Sequence, residues 1–182
     1  MKKTHFLLAI FMLTSSLLVT ACNRSSDNPA DSGGGTAIGS GTMSATVDGQ
    51  SWTATSGAVA ATYITNTLTV IGSQVQGTSG STITGSTLTI TINNVRGTGE
   101  FRLGELGFAQ GFAGYAIQTG AGSNDQGWGT TNTETGTVNI TRLDVPNKTV
   151  AGTFSFRCRN SNPNATPAIR NITNGRFEAR LP

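Results

Sequence analysis

Apolar and polar positions alternate with a period of two along most of the chain after residue 42. The clearest run is 87–92, where Leu88, Ile90 and Ile92 share one face and threonines occupy the other. The same alternation recurs in three later segments: 137–141, 150–156 and 177–181. Successive side chains of a strand leave opposite faces of the sheet, so this pattern predicts half-buried antiparallel strands.

Turn-forming residues separate these runs. The signals are Asp48-Gly49, Asn66, Asn93-Asn94, the segment 145–148 with its proline, and Asn174-Gly175. Asp-Gly between two strand runs is typical of a tight hairpin, and proline favours a corner because it cannot donate to a ladder. We therefore predict an all-β fold, a single antiparallel β-sandwich or flattened barrel of about nine or ten short strands. The alternation is the same in both architectures and does not separate them.

The N-terminal segment has the pattern of an export signal. Lys2 and Lys3 precede an apolar run at 6–19, which is too short to span a bilayer. The tetrad Val-Thr-Ala-Cys that ends at Cys22 resembles the lipobox of bacterial lipoproteins, in which cleavage falls before a lipidated cysteine. The alternative is an ordinary signal peptide with a chance cysteine. Residues 1–21 are interpreted as a lipoprotein signal peptide.

Three regions follow from this interpretation. Residues 22–41 are the lipidated Cys22 and a flexible tether, because this stretch is rich in Ser, Asn, Asp and Gly and has few large apolar side chains. Residues 42–182 form the β-domain. Residue 23 is Asn and not Asp, which in enteric-type lipoproteins favours the outer membrane. The expected location is the bacterial envelope, with the protein held by its lipid on the outer membrane and facing the periplasm or the surface.

The composition excludes several kinds of chemistry. The 182 residues include 12 Lys and Arg, 9 Asp and Glu and one His. Loss of residues 1–21 leaves 161 residues, a net charge of +1 and no histidine. That excludes a Ser-His-Asp triad, a Cys-His pair and any metal site with a His ligand. No metal or cofactor is expected, and the low net charge argues against nucleic acid as a partner.

The second cysteine, Cys158, has no intramolecular partner if Cys22 carries lipid. A disulfide between the two is the alternative that an even cysteine count suggests. Cys158 follows Phe154 and Phe156 at a spacing of two, so we predict that it points into the core as a small apolar side chain. A reactive thiol is the other possibility.

Four segments carry a resemblance to a known group of proteins. They are MSATVDGQSW at 43–52, GTVNITRLD at 136–144, VAGTFSF at 150–156 and ITNGRF at 172–177. With the N-terminal cysteine, they resemble a widespread group of small all-β lipoproteins of Gram-negative envelopes, classed as a domain of unknown function. The resemblance spans most of 43–182. It implies the architecture and the envelope location and supplies no catalytic residue, so we expect a non-enzymatic protein with a structural or interaction role.

Four aromatic residues form the best candidate for a ligand site: Phe108, Phe112, Tyr115 and Trp128. Glycines surround them, and rings on glycine-flanked loops offer flat stacking surfaces for sugars and other small ligands. The alternative function is thus a carbohydrate- or small-ligand-binding module. In the other interpretation the rings close the end of the sheet. A glycan or another envelope protein is accordingly the expected partner besides the membrane.

Three carboxylates lie in or beside predicted loops: Glu105, Asp125 and Glu134. A glycoside hydrolase needs two carboxylates about 5–10 Å apart in an open cleft. The spacing of these three along the chain does not indicate that they meet.

Positive charge accumulates near the C-terminus. Residues 157–182 contain five arginines and one acid: Arg157, Arg159, Arg170, Arg176, Arg180 and Glu178. Guanidinium groups pair well with phosphate, so these residues could contact anionic lipid headgroups. Solvated side chains on the outer face of a strand are the simpler interpretation.

Overall fold

A computed structural model describes residues 41–79, 82–105, 109–119 and 125–182. The predicted signal peptide, Cys22, the tether up to residue 40 and Phe108 lie outside the described residues, whereas Gly41, predicted as the last residue of the tether, is the first residue of a strand.

Eleven strands make up the described part of the chain, in which no helix occurs. They are β1 Gly41–Val47, β2 Gln50–Thr53, β3 Val59–Ile64, β4 Thr67–Ser79, β5 Thr82–Ile92, β6 Gly99–Leu103, β7 Gly111–Gln118, β8 Gln126–Gly129, β9 Gly136–Asp144, β10 Thr149–Asn160 and β11 Ile169–Arg180. The predicted all-β class is confirmed.

The strands form one sheet in the order β2-β1-β11-β10-β9-β6-β7-β5-β4-β3, and β8 pairs with both β7 and β10. Every pairing is antiparallel except that of β6 with β7, which is parallel and limited to Leu103 opposite Gly111. The sheet is therefore mixed, where the sequence predicted purely antiparallel pairing. The first strand of the domain, β1, lies beside the last, β11.

Strands β7 and β8 correct the sequence analysis, which placed their aromatic residues on loops. The sequence of β7 is GFAGYAIQ, whose glycines and alanines give little contrast between its two faces. At least one of these glycines is required by packing, because a Cβ on Gly111 would lie 2.5 Å from the Thr91 carbonyl oxygen. Low side-chain contrast hides such a strand from an analysis based on alternation.

Two tight turns have the predicted chemistry. Asp48 and Gly49 both have positive φ, 49° and 83°, between the paired residues Val47 and Gln50. This is the arrangement of a two-residue hairpin whose twist matches that of its strands. Thr65 and Asn66, with φ of 51° and 62°, form the corresponding turn between β3 and β4.

The inward face of the sheet forms one apolar cluster. Leu88, Ile90 and Ile92 are fully buried, as their alternation predicted. A Cβ added to Gly72 of β4 would lie 2.6 Å from the Sδ of Met43 in β1. These two strands are far apart in the strand order, so the sheet folds back and buries its inner face against itself.

Charged residues are confined to one sector of the sheet. Strands β6, β9, β10 and β11 carry all of the charged strand residues and are contiguous in the strand order. The strands β1 to β5, β7 and β8 carry none. Hydroxyl groups pair across the uncharged sector, with 3.2 Å between the Oγ1 atoms of Thr69 and Thr91. The outer surface thus has a charged sector, β11-β10-β9-β6, and a neutral one.

Replacing Gly175 by alanine tests the close packing between β10 and β11. An alanine Cβ there would lie 2.4 Å from ring atoms of Phe154, so Gly175→Ala must displace a buried ring. We expect a loss of about 2 kcal/mol in the free energy of unfolding, measured by urea denaturation. Gly127→Ala is the control, because a Cβ at Gly127 would have no neighbour within 4 Å. Equal stability of the two variants would contradict this packing.

Candidate functional site

A groove opens on the outer face of the sheet where β10 changes partner. Strand β10 pairs with β9 over residues 149–156 and with β8 at Arg159 and Asn160. The segment 130–135 turns between these two partners, held by the N–H of Thr131, which donates to the Glu134 carbonyl at 2.7 Å. The groove is broad and open to solvent, and its volume is about 1050 Å³.

Most of the residues that line the groove have polar side chains, although apolar atoms contribute more of its exposed surface than polar atoms do. Arg102 of β6 and Arg157 of β10 lie on it, together with the carboxylate of Glu105. Hydroxyl and amide groups complete much of the lining: Asn94, Gln110, Thr135, Thr137, Ser155 and Asn171. Within the described residues, neither Arg102 nor Arg157 forms an ion pair. Two guanidinium groups are thus available to a bound molecule.

Beside the groove, Glu134 is a buried carboxylate whose hydrogen bonds are fully supplied by protein groups. Its side chain is only 6% exposed, and Arg159 donates to it through Nε at 3.0 Å and through the terminal NH2 group at 2.6 Å. The hydroxyl groups of Thr131 and Thr133 also donate to it. The hydrogen bonds from Arg159, followed by those of the two threonines, hold the pKa of Glu134 far below its ordinary value of 4.5. This carboxylate acts as a permanently charged structural group.

A second ion pair joins Arg170 of β11 to Asp48, which lies in the turn between β1 and β2. Arg170 donates to Asp48 at 2.8 Å, and the Asp48 carboxylate also accepts the backbone N–H of Asn171. The guanidinium carbon of Arg170 lies 4.6 Å from the ring centroid of Trp128 and 5.7 Å from that of Tyr115. Arg170 is thus held by a carboxylate and two aromatic rings. The sequence analysis missed this pair, because no local pattern relates residues 122 positions apart.

The structure divides the predicted aromatic site between the two faces of the sheet. Tyr115 and Trp128 are 6% and 1% exposed, and their ring centroids are 6.0 Å apart inside the fold. Phe112 lies opposite Thr91, whereas Tyr115 lies opposite Leu88, so Phe112 points to the outer face. Phe112 and the two buried rings therefore do not share a surface. Ligand binding at these residues stays a prediction.

The three predicted carboxylates also lie in different environments. Of the three, Glu105 is the one that lines the groove. Asp125 accepts the backbone N–H of Thr119 at 2.8 Å beside β8, and Glu134 is occupied by Arg159.

The described residues contain no group of three or more His, Cys, Asp and Glu placed to share a metal ion. They also include no helix with the length and apolar character needed to cross a bilayer.

Cys158 lies in the core, as predicted. It is fully buried and is bonded to no other cysteine among the described residues, which do not include Cys22, and its thiol lies 3.8 Å from the carbonyl oxygen of Arg170. Burial, with a smaller contribution from the nearby Asp48 carboxylate, raises the pKa of Cys158 to about 12. The thiolate needed for reaction is therefore disfavoured.

A family model described as a domain of unknown function (DUF6252) matches residues 39–179. The chain belongs to this family. No match was found among curated proteins or among solved structures. The strands and the groove described above therefore belong to the DUF6252 domain, and the envelope location that the sequence resemblance implied stays a prediction.

Replacing Glu134 tests the buried ion pair of the DUF6252 domain. We expect Glu134→Gln to reduce the free energy of unfolding by about 2 kcal/mol, because charged hydrogen bonds to Arg159 are lost. The lowered pKa of Glu134 implies that its contribution is present above pH 4.5 and is lost as the pH falls below that value toward the folded-state pKa. The difference between wild type and variant, measured by chemical denaturation, should therefore shrink in acid.

The matched control is Glu178→Gln, which removes the other carboxylate–arginine pair on the outer face. Glu178 and its partner Arg142 are 63% and 45% exposed, so little change in stability is expected. A Glu134→Gln variant as stable as this control at neutral pH would contradict the structural role of Glu134.

The thiol of Cys158 should be unreactive in the folded DUF6252 domain. We expect a disulfide-exchange reagent such as Ellman's reagent to leave Cys158 unmodified at pH 8, and to modify it once urea unfolds the chain. Mass spectrometry of the peptide that contains Cys158 gives the site of modification. Rapid labelling of that peptide under native conditions would contradict its burial.

Proposed function

We propose that this protein is a lipid-anchored, non-enzymatic protein of the bacterial envelope, held on the outer membrane through Cys22, whose β-domain has a structural or interaction role. The observation that carries the proposal is the N-terminal pattern: a basic start, an apolar run at 6–19 and the tetrad ending at Cys22. Two or more acyl chains on such a cysteine give stable membrane residence, because a single chain binds only marginally.

The position of the domain within the chain supports this arrangement. The family match starts at residue 39 and strand β1 at Gly41, both beyond the proposed anchor. A flexible segment over residues 23–40, which precede strand β1, would have an end-to-end distance of roughly 23 Å. That length suffices to hold a folded domain clear of a bilayer surface.

The surroundings of three potentially reactive side chains support an interaction role over catalysis. Glu134 is occupied by Arg159 and two threonines. Asp144 accepts hydrogen bonds from the side chain and backbone of Asn147, which lower its pKa. Cys158 is buried with a raised pKa. Each of these groups has a structural partner or environment that opposes acid–base or nucleophilic work.

The anchor is tested by Cys22→Ser. We expect this variant to leave the detergent-rich phase and appear in the aqueous phase when Triton X-114 extracts are warmed, or to accumulate with its signal peptide still attached. Intact-mass spectrometry of the wild-type protein should show an N-terminal Cys22 that carries acyl chains.

Cys158→Ala is the matched control, since it removes the other cysteine and should leave partitioning unchanged. An unmodified Cys22 in the native protein would refute the proposal, as would equal partitioning of the wild-type chain and a Cys22→Ser chain from which the signal peptide has been removed.

A further inference from the structure

We propose that the groove at the partner change of β10 binds a phosphorylated sugar, with Arg102 and Arg157 contacting the phosphate and the hydroxyl and amide groups contacting the sugar. The inference rests on the proposed interaction role of the domain and names the ligand class, but it does not depend on the lipid anchor.

The arginines of the charged sector differ in whether a carboxylate pairs with them. Arg142, Arg159 and Arg170 each have a carboxylate partner at 2.8 Å or less. Arg102 and Arg157 are exposed, line the groove and form no ion pair within the described ranges. Guanidinium groups without a carboxylate suit a bound phosphate, because their planar donors match its oxygens.

Strand register places these two arginines within reach of one anion. Arg102 lies opposite Thr137, and Thr137 lies opposite Ser155, two residues before Arg157. Two strand spacings across and two residues along the strand separate the two Cα atoms by roughly 12 Å. Both side chains are on the outer face and are long enough to converge over the groove between them.

The remaining lining favours a sugar over other phosphate carriers. Hydroxyl and amide side chains suit a ligand rich in hydroxyl groups, and Glu105 adds an acceptor that opposes a ligand with many negative charges. The one aromatic residue among the described lining, Phe156, is 3% exposed, so a nucleobase would have no ring to stack on. The volume of about 1050 Å³ accommodates a mono- or disaccharide.

The experiment is titration calorimetry of the full-length protein in micelles of a neutral polyoxyethylene detergent. The titrants are glucose 6-phosphate, glucose and inorganic phosphate. We expect glucose 6-phosphate to bind and to bind more tightly than either of the other two. Glycerophosphoinositol 4-phosphate, the deacylated headgroup of a phosphorylated lipid, is titrated in parallel, and the tighter of the two phosphate-bearing ligands indicates whether the natural source is a free sugar or a lipid.

The decisive variant is Arg102→Gln with Arg157→Gln. Loss of two charge-assisted contacts should weaken binding of the better ligand by about tenfold or more. The matched control is Arg176→Gln with Arg180→Gln, which removes the same charge from exposed positions of β11 outside the groove lining. The affinity of this control variant for the better ligand should stay within about twofold of wild type if binding depends on local contacts and not on the overall charge.

Three outcomes would overturn the proposal: no binding of either phosphate-bearing ligand, binding no tighter than that of glucose or of inorganic phosphate, or an equal loss in the two double variants. Thermal unfolding of both double variants checks that each is folded. Failure of the anchor would appear in detergent partitioning and not in these titrations, so the two proposals fail separately.

Discussion

The inner face of the sheet must be buried against itself, and most other features follow from this requirement. Met43 of β1 packs on Gly72 of β4, so the interior has no room for a side chain at position 72. Polar groups that point inward must find partners inside the fold. Trp52 donates its Nε1–H to the Ser86 hydroxyl at 2.8 Å. Arg170 donates to Asp48 through a terminal nitrogen and lies over the Trp128 ring, but its buried Nε has no hydrogen-bond partner among the described residues. Groups able to meet a ligand are left on the outer face.

The outer face divides the domain by charge. Strands β11, β10, β9 and β6 carry the arginines and acids, and the groove lies within this sector. The neutral sector relies on hydroxyl pairs between threonines and serines, such as Ser73 with Thr87 at 3.1 Å. Under the proposed binding of a phosphorylated sugar, the positive charge of this sector would attract the ligand to the groove in addition to the contacts of Arg102 and Arg157.

Local patterns predicted the strands whose two faces differ in polarity. Leu88, Ile90 and Ile92 alternate with threonines, and β5 was predicted for that reason. The glycine- and alanine-rich β7 lacks such contrast, so its alternation does not predict a strand. The site was less predictable, because Glu134 and Arg159 lie 25 residues apart and come together through the pairing of β10 with both β8 and β9. A single sequence contains no local signal for contacts set by strand order.

The pairing of β1 with β11 restricts the order in which contacts can form as the chain folds. Met43 lies opposite Phe177, and the Asp48 carboxylate pairs with Arg170, which is synthesised 122 residues later. Contacts between such distant segments form late, because a long loop must close before they add stability. The pairing of β1 with β11, and with it the ion pair of Asp48 and Arg170, therefore cannot form before the final strand has been synthesised.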